Sequence, residues 1–79
     1  MPTVLRADGF RFFFFSRGGG EEPPHIHVEH AERYAKFWLH PVSLASSSGF
    51  RSHELTTLLQ LVEQHQSQFE EAWNEHFGH

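Results

Sequence analysis

The chain has 79 residues, no cysteine and a formal net charge of −4. This length predicts a single domain over residues 1–79 with a thin core. The missing cysteines exclude disulfides. The apolar run Phe12–Phe15 is far shorter than a segment that spans a bilayer. We therefore expect a cytoplasmic protein with no membrane partner.

The acidic excess lies in the C-terminal half of the chain. Residues 41–79 contain five Glu, and Arg51 is their one Lys or Arg. A protein that binds nucleic acid by displacing counterions from phosphates normally presents a basic face. An RNA or DNA role would therefore have to use the N-terminal half alone.

Residues 1–48 predict a three- to four-stranded antiparallel sheet. Asp8-Gly9 is typical of a hairpin turn and separates a short strand, Thr3–Arg6, from the aromatic run Arg11–Ser16. Consecutive aromatic residues are typical of a strand that is covered on both faces. Three Gly and two Pro within residues 17–24 then predict a mobile loop.

The next two strands form a predicted hairpin with two different faces. The segments His25–His30 and Arg33–Leu39 alternate between apolar and polar residues, and Ala31-Glu32 lies between them as a two-residue turn. Pairing across this turn predicts one apolar face, directed toward a helix. The opposite face then carries His25, His27, Tyr34, Lys36 and Trp38, with His27 opposite Lys36. A last short strand is predicted over Val42–Ala45.

One long amphipathic helix is predicted over residues 52–77, packed on one face of the sheet. Ser52 is its expected N-cap and Gly78 its C-terminal stop, although the polar stretch Gln64–Gln68 leaves open a division into two helices. A single helix would reach about 37 Å and overrun the sheet. Its free end is then predicted to bind a partner, such as a second copy of the chain, through Phe69, Trp73 and Phe77.

The pair His25 and His27 is the main candidate for chemistry. Their spacing on a strand puts both imidazoles on one face, which suits two ligands of one divalent metal, but a metal site needs a third ligand and none is evident. The alternative is that both residues are polar side chains on an exposed face. No cofactor is expected unless these two imidazoles bind a metal.

A metal-free site can be assembled from the same face. His25 and His27 would act as general acid and base, while Lys36 and an Arg such as Arg6 or Arg11 hold a phosphate. Tyr34 and Trp38 could stack an unpaired RNA base. This arrangement predicts a small ribonuclease-like site, although such residues also share a sheet face by chance.

Several segments closely resemble the small bacterial domain of unknown function 4160 family. The most distinctive are Pro-Pro-His-Ile-His-Val at 23–28 and Ala-Lys-Phe-Trp-Leu at 35–39, joined by Gly-Phe-Arg-Phe-Phe-Phe-Phe-Ser at 9–16 and Trp-Asn-Glu at 73–75. The resemblance implies one half of a toxin-antitoxin-like gene pair, with the product of a neighbouring gene as partner. It makes His25, His27 and Lys36 the positions to test and supplies no mechanism.

Three hypotheses follow. The leading one is a component of a bacterial toxin-antitoxin-like module that acts through protein association, with an RNA-directed site at His25, His27, Lys36 and Arg6. The second is a non-enzymatic antitoxin or adaptor. The third is a small metal-binding domain that uses His25 and His27.

Overall fold

A computed structural model describes residues 3–15 and 21–78 of the chain. These residues form one antiparallel sheet in the order β1-β2-β3-β4-β5, followed by two helices. The elements are β1 (Thr3–Ala7), β2 (Phe10–Phe13), β3 (His25–His30), β4 (Arg33–Leu39), β5 (Val42–Ser48), α1 (Ser52–Gln64) and α2 (Gln66–Phe77). The α+β class and the antiparallel sheet are confirmed. The prediction of three to four strands and one helix is wrong.

Both predicted hairpin turns are present. Asp8 and Gly9 connect β1 to β2 with φ values of 53° and 85°, the left-handed conformation that Asp and Gly tolerate best. Ala31 connects β3 to β4 with φ of 55°, which is unusual for an alanine. Of the predicted loop, residues 17–20 lie outside the described residues, as does Ser16 of the predicted aromatic strand.

The fifth strand is longer than its predicted range. β5 continues past Ala45 because Ser46, Ser47 and Ser48 pair with Lys36, Ala35 and Tyr34 of β4. Serine has little preference for strands, so the local sequence did not indicate this extension.

The core lies between one face of the sheet and the helices. The predicted apolar face of the β3–β4 hairpin is buried as expected, and Phe12 of β2 packs on Phe69 of α2 with ring centroids 5.3 Å apart. The buried core residues of the hairpin are Ile26, Val28, Ala35, Phe37 and Leu39. None of the described helices is both long and apolar enough to cross a membrane.

The helical segment divides at His65. His65 has φ of −108° and ψ of 15°, and its Nδ1 lies 2.8 Å from the carbonyl oxygen of Leu61. The side-chain amide Nε2 of Gln66 then donates to the carbonyl of Leu39 at the end of β4, at 2.6 Å. The division lets both helices contact the sheet, so no helix end overruns it. The helical segment begins at residue 52 as predicted, but Arg51 and not Ser52 is the N-cap of α1.

Candidate functional site

The predicted register of the β3–β4 hairpin is confirmed and gathers the candidate residues on the sheet face opposite the helices. His25 pairs with Trp38, His27 with Lys36, and Glu29 with Tyr34. Strand β2 adds to this face, because Phe13 pairs with His27. We call this surface the imidazole face and define it as Phe13, Phe15, His25, His27, Tyr34, Lys36 and Trp38.

His27 lies at the centre of the imidazole face and is only 5% exposed. Its Nδ1 and the hydroxyl of Tyr34 form a hydrogen bond of 2.8 Å. The ring of Phe15 covers it edge-on, with centroids 4.4 Å apart, and the ring of Phe13 lies 5.5 Å away. These contacts hold the imidazole in one orientation.

His25 is 3% exposed and is enclosed by aromatic rings from two sides. Its centroid lies 4.7 Å from that of Trp73 on α2 and 5.8 Å from that of Trp38 on β4. Its Nδ1 donates to the carbonyl of Pro23 at 2.9 Å. Because a carbonyl can only accept, the neutral ring keeps its lone pair on Nε2.

Burial of both imidazoles contradicts the alternative that they are exposed surface residues. Their centroids lie 4.9 Å apart, and no buried side-chain nitrogen or oxygen among the described residues lacks a hydrogen-bond partner. A buried polar pair with satisfied hydrogen bonds is a stable arrangement. The imidazole face is therefore a second packed layer on the sheet, and at its end His25 also contacts Trp73 of α2.

Lys36 is held in place by two contacts. Its ammonium forms an ion pair with Glu22 at 2.5 Å, and the same nitrogen lies 4.6 Å from the ring centroid of Trp38. The hydrogen bond from Lys36 lowers the pKa of Glu22. The lysine charge is thus already paired, which leaves less of it to attract a phosphate.

The environment keeps both imidazoles neutral at neutral pH. Burial, followed by the neighbouring charges of His25 and Lys36, lowers the pKa of His27 to about 4. Burial also lowers the pKa of His25, against the opposing effect of its bond to Pro23. Burial raises the pKa of Tyr34, with Glu22 acting in the same direction. The imidazoles can therefore accept a proton or a hydrogen bond, but a neutral imidazole is a poor general acid.

Arg6 does not join the other predicted site residues. It is exposed on β1 and pairs with Arg11, which in turn pairs with Glu29 of β3. Arg11 and Glu29 also form an ion pair of 2.7 Å. Two strand spacings, about 10 Å, therefore separate Arg6 from the strand that carries the imidazoles.

Residues 9–74 match the family model described as domain of unknown function DUF4160. This match covers most of the 79-residue chain. The chain belongs to the DUF4160 family. Searches of curated proteins and of solved structures each returned no match.

The two most distinctive DUF4160 segments of this chain build the imidazole face. The segment Pro-Pro-His-Ile-His-Val supplies the carbonyl of Pro23 and both imidazoles, and Ala-Lys-Phe-Trp-Leu supplies Lys36 and Trp38. The two segments lie on neighbouring strands and pair with each other. The motifs of this DUF4160 protein therefore come together at one place in the fold.

The structure contradicts the prediction that the C-terminal end of the helix extends beyond the sheet with its aromatic residues exposed. Phe69 is 0% and Trp73 2% exposed, and Trp73 packs between Phe14 and Phe77. Phe77 is half-buried in the same cluster. These aromatic residues pack in the core of their own chain, and Phe69 and Trp73 have almost no exposed surface left for a partner.

The hypothesis that His25 and His27 bind a metal requires a third ligand, and none is present within residues 3–15 and 21–78. No group of three or more His, Cys, Asp or Glu side chains in this part of the DUF4160 chain is arranged to hold a metal ion. In addition, Nδ1 of His25 and Nδ1 of His27 each already have a hydrogen-bond partner. The two imidazoles alone do not make a complete metal site.

Sequence reasoning missed three members of this site. Phe13 and Phe15 cover His27, and Glu22 pairs with Lys36. The two-residue period of a strand could have assigned Phe13 and Phe15 to the face opposite Phe12 and Phe14. No comparable signal exists for Glu22, because its segment has no regular periodicity.

Proposed function

We propose that this protein is a cytoplasmic component of a bacterial toxin-antitoxin-like module, and that it acts by associating with the product of a neighbouring gene through its imidazole face. The observation that carries the proposal is the exposed aromatic part of that face. Phe15 is 43% exposed while its ring rests on the buried imidazole of His27.

The composition of the imidazole face supports a protein partner. Aromatic residues are enriched at the centres of protein interfaces and contribute much of the binding energy there. Phe15 and Trp38 present such rings beside the Lys36–Glu22 ion pair. An apolar centre next to a paired charge is the usual organisation of an interface centre and its polar rim.

The face is also preorganised for binding. The hydrogen bond between His27 and Tyr34 and the bond from His25 to Pro23 fix the two imidazoles, and Phe15 packs against a ring that is itself held in place. A surface that is ordered before association loses less conformational entropy when it binds.

Co-expression with the neighbouring gene's product tests this proposal. We expect the two proteins to purify together, and Phe15→Ala to weaken the complex by about tenfold or more, the loss typical of an interface anchor. Gln60→Ala, an exposed position on α1, is the matched control and should bind like the wild type. Unchanged affinity in both Phe15→Ala and Trp38→Ala would refute the proposed surface.

An RNA-directed role is the second candidate, favoured by the lysine ammonium that lies over Trp38. If the ammonium moved aside, a base could stack on this ring, and its phosphate would compete with Glu22 for the ammonium. Against cleavage, a pKa of about 4 for His27 leaves it almost entirely neutral at pH 7, so the pair supplies a base but no acid. The site therefore supports RNA binding better than acid–base hydrolysis.

Two assays separate these candidates. The purified protein is incubated with single-stranded RNA, and growth is followed in cells that express wild type, the double variant His25→Ala plus His27→Ala, or the surface control His53→Ala. Cleavage or growth arrest that only the double variant abolishes would establish the RNA-directed role. Intact RNA and normal growth with all three proteins would exclude the ribonuclease-like toxin.

A further inference from the structure

The two edges of the sheet differ in how well they are protected from pairing with another strand. Edge strands in natural proteins usually carry charges or prolines, or are short. β1 has five residues and includes the exposed Arg6. β5 has seven residues, Val-Ser-Leu-Ala-Ser-Ser-Ser, with no charge and no proline. Within the described part of the chain its outer side has no partner strand.

An exposed apolar side chain lies on this unprotected strand. Leu44 is 43% exposed, and among the described residues only it and Phe15 are large hydrophobic side chains with such exposure. Phe15 belongs to the imidazole face, whereas Leu44 lies at the sheet edge. Leu44 is not among the described residues that pack against the core.

We propose that β5 is a self-association edge, where a second copy of this chain pairs its own β5 antiparallel about a two-fold axis at Leu44. The two sheets would then form one sheet of ten strands, with the helices of both copies on the same face. In this register the two Leu44 side chains lie directly opposite each other, about 5 Å apart at Cβ. Each covers the apolar surface that the other leaves exposed.

A second copy fits this edge because β5 is uncharged. A two-fold axis places each residue opposite a residue of the same strand, so a charged strand would risk pairing like charges. β5 has no such penalty, since its seven residues are apolar or serine. At β1, the same operation would bring Arg6 near its own copy.

The charges around α1 favour the antiparallel orientation. α1 begins after Ser48 and ends near Leu39, the partner of Val42, so it runs antiparallel to β5. The two-fold axis therefore brings the start of α1, with Arg51 and with Glu54 already paired to Arg33, toward the end of the other α1, with Glu63. The helix dipoles are also opposed in this arrangement, which is their favourable orientation.

The interface is expected to be small and the dimer correspondingly weak. The pairing with β4 shifts register between Lys36 and Phe37, which places an extra residue, Ala45, in β5. Such a bulge interrupts the regular strand next to the axis. A short strand pair with one central apolar contact points to dissociation in the micromolar range, on the order of 1 to 100 µM.

Sedimentation equilibrium over about 1 to 500 µM protein, a range that brackets this affinity, measures the association directly. We expect the wild type to dimerise with increasing concentration and Leu44→Lys to raise the dissociation constant about tenfold or more, because two ammonium groups would meet at the axis. Thr3→Lys, at the exposed start of β1, is the control for the opposite edge. It should dimerise like the wild type.

A cross-linking experiment tests the register independently. The chain has no cysteine, so Leu44→Cys introduces a single thiol that can form a disulfide only with another copy. If the axis passes at Leu44, mild oxidation links this variant far faster than Thr3→Cys. Circular dichroism checks that each variant is folded.

Three results would overturn the proposal. The first is a wild type that stays monomeric over the whole concentration range. The second is a Leu44→Lys variant that is folded and dimerises as tightly as the wild type. The third is equal disulfide formation at positions 44 and 3, which would show that contact between copies is random. None of these results bears on the imidazole face, so this inference and the proposed function fail separately.

Discussion

Stability between pH 7 and pH 5 should depend on His27, whose folded-state pKa of about 4 lies below the ordinary histidine value of 6.5. As pH falls through 6.5, the imidazole of the unfolded chain takes up a proton while the buried imidazole does not. Protonation therefore stabilises the unfolded state, and stability is lost progressively until the folded protein is protonated near pH 4. His25, whose pKa is also lowered by burial, acts in the same direction.

The size of the effect follows from the interval between the two pKa values of His27. About 2.5 pH units at 1.36 kcal/mol each give a total of about 3 kcal/mol. About 2 kcal/mol of this is lost between pH 7 and pH 5. That loss would move the urea midpoint by about 1 to 2 M for a domain of this size. The carboxylates Glu22 and Glu54 have pKa values lowered from 4.5 and contribute only at more acidic pH.

Urea unfolding of the wild type and of His27→Gln at a series of pH values from 7 to 5 measures this contribution. We expect the variant to be less stable at pH 7, because it loses ring contacts with Phe13 and Phe15, but to lose much less stability on acidification. His53→Gln, at an exposed position of α1, should keep the wild-type slope. The reasoning is refuted if wild type and His27→Gln lose the same free energy over this range.

Three further substitutions test the packing and the turns. Trp73→Ala should cost about 3 to 5 kcal/mol in urea unfolding, because a buried core ring is removed; a loss below about 1 kcal/mol would contradict its place in the core. Ala31→Asn should raise the free energy of unfolding by about 0.5 to 1 kcal/mol, since Asn tolerates φ of 55° better than Ala. An unchanged free energy of unfolding would mean that the backbone of Ala31 is not strained. Gly49→Ala should cost about 1 to 3 kcal/mol, because φ is +88° and the new Cβ would lie 3.1 Å from Cγ of Arg33; wild-type stability in thermal unfolding would contradict it.

The hairpins were predictable because their signals are local. Asp8-Gly9 and the two-residue spacing at Ala31 fix where the strands turn, and alternation then fixes which side chains share a face. The length of β5 was not predictable in this way, and the polar stretch Gln64–Gln68 only left open a division of the helix. Both depend on partners distant in sequence, such as the bond from Gln66 to Leu39 and the pairing of Ser48 with Tyr34.

The candidate site was predictable in its composition but not in its environment. The register assigned His25, His27 and Lys36 to one face, yet it gave no indication that the imidazoles are buried or that Lys36 is paired with Glu22. Arg6 shares the face but lies on a strand too distant to join the site. Burial is what lowers the pKa of His27, so the chemistry of the site could not be read from residue types.

The sequence by itself determined the order of secondary structure, the turns and the face on which each strand residue lies, because backbone geometry repeats every two residues in a strand. The tertiary structure alone decided which polar side chains are removed from water. Phe15 and Tyr34 enclose His27, and Trp73 of α2 reaches His25. Burial of these imidazoles depends on atoms that are far apart in the chain, so a local pattern of residues does not encode it.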